Sequence, residues 1–161
     1  MTHNRTTRSM LRAAPTHGHH RVTFVELFFD LVFVFAITQI SHSLLEHFSL
    51  LGVIETMMLL LAVWWVWIYT SWTTNWLDPD KPPIRLLLFA LMLLGLVMST
   101  SIPKAFESRG LAFALALVAM QIGRTSFVLL WVRRDSDVLY RSFLRILSWL
   151  VASGFFWIAG G

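Results

Sequence analysis

The sequence predicts an all-α fold: a polytopic bundle of about five membrane-spanning helices with its N-terminus in the cytoplasm. Three observations predict it. Apolar residues recur in runs of about 20, the length that crosses the hydrocarbon of a bilayer. Charged residues make up 14% of the chain, against about 25% in a soluble domain. Basic residues also gather on alternate connections between the runs, as the positive-inside rule requires.

Residues 1–20 form a polar, basic segment, expected to be a flexible cytoplasmic tail. His17, His19 and His20 sit there in the run His-Gly-His-His. Imidazoles bind divalent metals, but a loose tail lacks the preorganised geometry that a site needs. Neither a metal nor a cofactor is expected. The first apolar run is too long for a signal peptide, carries carboxylates and has no small-residue cleavage site after it.

The transmembrane domain is expected over residues 21–161. Its first span, about 24–45, contains Glu26 and Asp30 one helical turn apart. Thr23 and Glu26 fit a capping box, which would satisfy free amides at the helix start. Asp30 lies beyond the reach of that cap. At 100° per residue, Glu26, Asp30, Thr38 and Ser41 share an arc of about 120°. That arc is expected to face other helices and the Phe- and Val-rich remainder to face lipid.

The second span, about 50–75, is rich in tryptophan. Trp72 and Trp76 sit where an interfacial belt is expected, whereas Trp64, Trp65 and Trp67 lie near mid-membrane. Their indoles suit packing and lipid contact better than a cation-binding box. Glu55 lies near the outer end at the depth of His42; the two could meet, but a carboxylate snorkelling to the interface is the simpler account. The run NWLDPDKPP then breaks the chain, because Asp-Pro and Pro-Pro stop helices.

The third span, about 84–102, includes Gly95, Ser99 and Ser101, small residues that permit close helix approach. Pro103 ends it. The fourth, about 111–132, carries Gln121 and Arg124 inside the apolar run. An arginine at that depth costs on the order of several kcal/mol unless paired or hydrated. Counting from the inner ends at 1.5 Å per residue, Arg124 lies about 12 Å deep and Asp30 about 9 Å. An Asp30–Arg124 ion pair, shared with Glu26, is therefore expected between the first and fourth helices. The fifth span covers about 142–161 and ends without a polar tail, so further sequence is expected to follow.

With the N-terminus inside, Arg5, Arg8, Arg12, Arg21, Lys81, Arg85, Arg133, Arg134, Arg141 and Arg145 are cytoplasmic. Lys104 and Arg109 are outside, which with Arg124 accounts for all 13 basic residues. The basic residues thus set orientation, and no nucleic-acid partner is expected.

The run ELFFDLVFVFAITQ from Glu26 to Gln39 resembles the bacterial low temperature requirement A family. TNWLDPDKPPIR from Thr74 to Arg85 and MQIGR from Met120 to Arg124 extend the resemblance. It implies a multi-pass protein of the bacterial inner membrane, associated with growth in the cold as a stress response. Family members are generally longer, so the chain resembles an N-terminal portion or a shortened member. The expected partners are the lipid bilayer and either a second copy or a missing C-terminal half.

No molecular activity follows from that resemblance. One reading of the residues is a proton- or ion-coupled transporter or channel. Its intramembrane charge cluster would be Glu26, Asp30 and Arg124, supported by Thr38, Ser41, His42 and Gln121. The other is a non-catalytic membrane protein whose buried ion pair serves packing specificity. An enzyme is not expected, and no catalytic residue is assigned. Gly-x-Ser-x-Gly, His-Glu-x-x-His and a phosphate-binding glycine loop are all missing. Cysteine is absent, which excludes disulfides and thiolate chemistry.

Overall fold

Polar and proline-bearing connections set the helix ends in the computed structural model, which describes residues 24–46, 48–77, 81–132 and 137–160. The N-terminal tail with its histidines, Thr23 of the expected capping box and the Glu26 side chain lie outside what is described. Five long helices follow in order: α1 (Phe24–Glu46), α2 (Leu50–Trp76), α3 (Pro82–Ser101), α4 (Gly110–Val132) and α5 (Asp137–Gly160). Each contains a stretch long and apolar enough to cross a membrane.

Ser49 caps α2, its hydroxyl accepting from the Gly52 amide at 3.0 Å. Pro82 and Pro83 belong to the first turn of α3, so that helix starts earlier than the expected Ile84. Proline fits there because the first-turn amides have no intrahelical acceptor to lose. Pro103 falls in a short 3-10 turn, Ile102–Lys104. The loop behind it is tied back by Arg109 Nη1, which donates to the Thr100 carbonyl at 3.2 Å. α5 begins more than a turn before the expected Ser142, since Asp137 and Arg141 are compatible with a helix that extends beyond the hydrocarbon.

The principal contacts close a ring in which α1 touches α2 and α3, and α4 touches α3 and, along a shorter seam, α2. α1 and α4 therefore stand across the ring from each other. α5 packs on the outside of α4, where Trp157 meets Phe113 with ring centroids 6.1 Å apart. Gly154 is the one buried residue among the described side chains of α5. A Cβ there would come within 2.9 Å of Val118 Cγ1, so the absent side chain is what lets α5 close on α4.

The core corrects the expected orientation of α1. Phe29, Val32, Phe33, Ala36 and Ile40 form its buried stripe, while Asp30, Thr38, Ser41 and His42 are exposed on this five-helix unit. The physical reason lies in how helices associate in lipid, where close packing rather than apolarity selects the interface. Gly95 provides that close fit between α1 and α3; a Cβ on it would lie 2.9 Å from Val32 Cγ1. Thr38 and Ser41 need no neighbour, because their hydroxyls donate at 3.0 Å to the Val34 and Ile37 carbonyls of their own helix.

Candidate functional site

The seam between α2 and α4 holds a full charge in the interior. Arg124 is 1% exposed, fixed by its place two turns from the end of α4. Its Nη1 donates to Thr70 Oγ1 at 2.6 Å and, at 3.4 Å, to the Val66 carbonyl. Thr70 passes the bond on, its own hydroxyl donating to the same Val66 carbonyl at 2.7 Å. The guanidinium carbon sits 4.6 Å from the centroid of the Tyr69 ring, within the range of cation–π attraction. Tyr69 in turn stacks on Trp65, with centroids 6.0 Å apart.

One turn of α2 thus supplies a carbonyl, a hydroxyl and an aromatic face. All three neutral groups attract a cation, yet none carries the opposite charge. Nε and Nη2 of Arg124 have no hydrogen-bond partner, and Gln121 Oε1, one turn back along α4, is also buried without one. Buried polar groups are nearly always satisfied, by ordered water included, so these three atoms are where a further partner would bind.

The expected Asp30–Arg124 ion pair does not form. Asp30 Oδ1 instead accepts from Trp67 Nε1 at 2.9 Å. Depth alone allowed the pair, but α1 and α4 lie across the ring, with α2 reaching both. Trp67 and Thr70 stand one turn apart on α2, so that helix serves Asp30 with an indole and Arg124 with a hydroxyl. Of the residues expected to gather, Arg124 and Gln121 share a face of α4. Thr38, Ser41 and His42 belong to the exposed side of α1.

Tyr69, Thr70 and the Val66 carbonyl were not singled out in the sequence. Counting depth along the second span as well as the first places Thr70 about 9 Å from the inner end, close to Arg124. The cation–π partner also proves to be a tyrosine. Trp64 and Trp65 are each 52% exposed, in keeping with lipid contact.

Two concavities lie near the connection between α3 and α4. An open one of about 520 Å³ is lined mainly by apolar side chains, including Met58, Phe106, Phe113 and Trp149. A smaller one, about 160 Å³, brings Glu55 together with Ser43, Thr56 and Glu107. His42 is not part of its wall. Among the described residues no group of three or more His, Cys, Asp or Glu is placed to hold a metal ion.

Residues 21–161 match the family described as bacterial low temperature requirement A protein. An uncharacterized protein of Rhizobium meliloti (strain 1021) is 48% identical over 141 residues, covering 88% of this chain and 34% of that protein. The chain therefore spans about a third of that relative's length. No solved structure matches. With its family signature running from Arg21 through all five helices, the chain belongs to the bacterial low temperature requirement A family.

Proposed function

We propose that this chain is part of an ion-coupled transport protein of the bacterial inner membrane, supporting growth at low temperature, with Arg124 at its centre. The observation that carries this reading is the buried guanidinium, held by neutral groups with two of its nitrogens unbonded. A structural arginine in a membrane is held by a counter-charge or by backbone carbonyls that satisfy its donors. An intramembrane charge that keeps unbonded donors is suited to meet a passing ion or solute. Burial of Arg124 between α2 and α4 also lets such an encounter act on the helix seam. Support for growth in the cold rests on the family's description.

One variant tests both parts. In dye-loaded proteoliposomes under an imposed membrane potential, the wild-type chain is expected to pass ions or protons. Arg124→Gln is expected to lose at least about tenfold of that flux, as removal of a charged hydrogen-bonding group at a site does. The same variant should fail to restore growth in the cold to cells lacking the protein. Flux retained in a folded Arg124→Gln protein would remove Arg124 from the pathway.

Lipid is the expected surrounding of most outward faces, but the exposed face of α1 calls for a further partner. Asp30 and His42 lie along it, and ionisable groups facing hydrocarbon are costly, whereas the Thr38 and Ser41 hydroxyls beside them are met within α1. A second copy or additional spans of a longer chain would cover it. Because the chain has no cysteine, a single Thr38→Cys provides a clean probe. Covalent dimers on oxidation in membranes would identify a second copy. An introduced thiol that neither cross-links nor is shielded from a lipid-soluble maleimide would show the face bare.

A further inference from the structure

Two donors and one acceptor stand unanswered at the α2–α4 seam, and their arrangement specifies what would satisfy them. Nε and Nη2 of Arg124 lie along one edge of a planar guanidinium. Their N–H bonds run parallel, at the spacing of two carboxylate oxygens, which is how arginine grips carboxylates with two bonds. The opposite end is already engaged, Nη1 resting on Thr70 and Val66. The guanidinium is therefore anchored at one end and buried, without a hydrogen-bond partner, along a two-donor edge.

Gln121 adds a second requirement. It precedes Arg124 by three residues, so the two share a face of α4 about 4.5 Å apart along the axis. Its unpartnered Oε1 accepts only, and so asks for a donor on whatever occupies the arginine edge. A plain carboxylate has no such donor. A carboxylate with a hydroxyl or ammonium on the adjacent carbon has both parts, separated by one carbon atom. Chloride offers neither a second acceptor nor a donor.

From this we infer that the Nε–Nη2 edge of Arg124, with Gln121 Oε1, is the binding site for a small α-hydroxy or α-amino carboxylate. The assignment deepens the transport reading and rests on it for the passage of the ligand, but binding is measured without flux. The donor atoms are buried, so the ligand enters as α2 and α4 part. That seam is shorter than the contacts of α4 with α3 and α5, and Arg124 itself supplies bonds across it. Occupancy of the site and opening of the seam are thereby linked.

The test uses the purified full chain in detergent, with sodium glycolate and glycine as probes. Sodium acetate and sodium chloride at matched ionic strength are the comparisons. Glycolate or glycine is expected to raise the thermal unfolding midpoint saturably, acetate less and chloride not at all. Gln121→Leu should reduce the response to the level of acetate while keeping the acetate response, which shows that the variant is folded. Arg124→Lys keeps the charge but loses the two-donor edge, and should weaken binding by about tenfold or more. Equal responses to chloride and glycolate, or an undiminished glycolate response in Arg124→Lys, would overturn the assignment. So would the absence of any response to both probes in the folded wild-type chain. Binding without flux would leave the site standing and sink the transport reading alone.

Discussion

Replacing Arg124 with methionine is expected to make the bundle more resistant to unfolding while abolishing function. Methionine fills a similar length of space without a charge. The change gives up the Nη1 bond to Thr70 and the contact with Tyr69, together about 3–5 kcal/mol in gross terms. Against that stands the desolvation of an uncompensated guanidinium, with two of its nitrogens left unbonded. The effective penalty for burying such an ion is several kcal/mol even after relaxation. Thr70 is not stranded by the change, since its hydroxyl still donates to the Val66 carbonyl. On balance Arg124→Met is expected to stabilise, because the desolvation penalty of the partly bonded guanidinium is relieved and apolar packing takes its place. Denaturant unfolding in detergent, followed by helical circular dichroism, measures it. Had Arg124 been one half of a closed ion pair, the same change would destabilise by about 3–5 kcal/mol through the stranded partner. The sign of the shift therefore decides between the two arrangements.

The second large effect is expected at the α1–α3 crossing. Gly95→Ala places a methyl group 2.9 Å from Val32 Cγ1 and 3.8 Å from Met120 Cε. Met120 yields easily, being long and unbranched. Val32 does not, because a β-branched side chain in a helix has one strongly preferred rotamer. The helices must then separate, and overpacking of this kind costs about 1–3 kcal/mol. Val32→Ala removes the obstructing methyl and at the same time leaves a small void, itself destabilising. In the double variant the methyl group added at position 95 occupies part of that void. The two costs should therefore fall short of their sum, with a coupling of about 0.5–3 kcal/mol in the double-mutant cycle. Strict additivity, measured by the same unfolding assay, would show that α1 and α3 do not meet at this point.

The number of spans and the residues that break them were legible in the chain, because hydrocarbon thickness imposes a length that unbroken apolar runs reveal directly. Arg124 was legible too, since a charge far from either end of such a run stands out whatever surrounds it. So was Gly95 as a point of close approach. The facing of α1 was not. In a soluble helix the apolar stripe marks the buried side, but here both sides are apolar and periodicity loses its meaning. Asp30, Thr38 and Ser41 looked like an inner face, and the fit of Val32 against Gly95 of α3 turned them outward. Depth along each helix can be counted from sequence, whereas the order of helices around the ring cannot. For that reason Asp30 and Arg124 shared a depth without sharing an interface. Tertiary packing placed α2 within reach of both, giving Asp30 the indole of Trp67 and Arg124 the hydroxyl of Thr70 and the ring of Tyr69. The position of Arg124 within an apolar run determined that a charge would be buried in this membrane protein; the order of its helices decided that Asp30 would not be its partner.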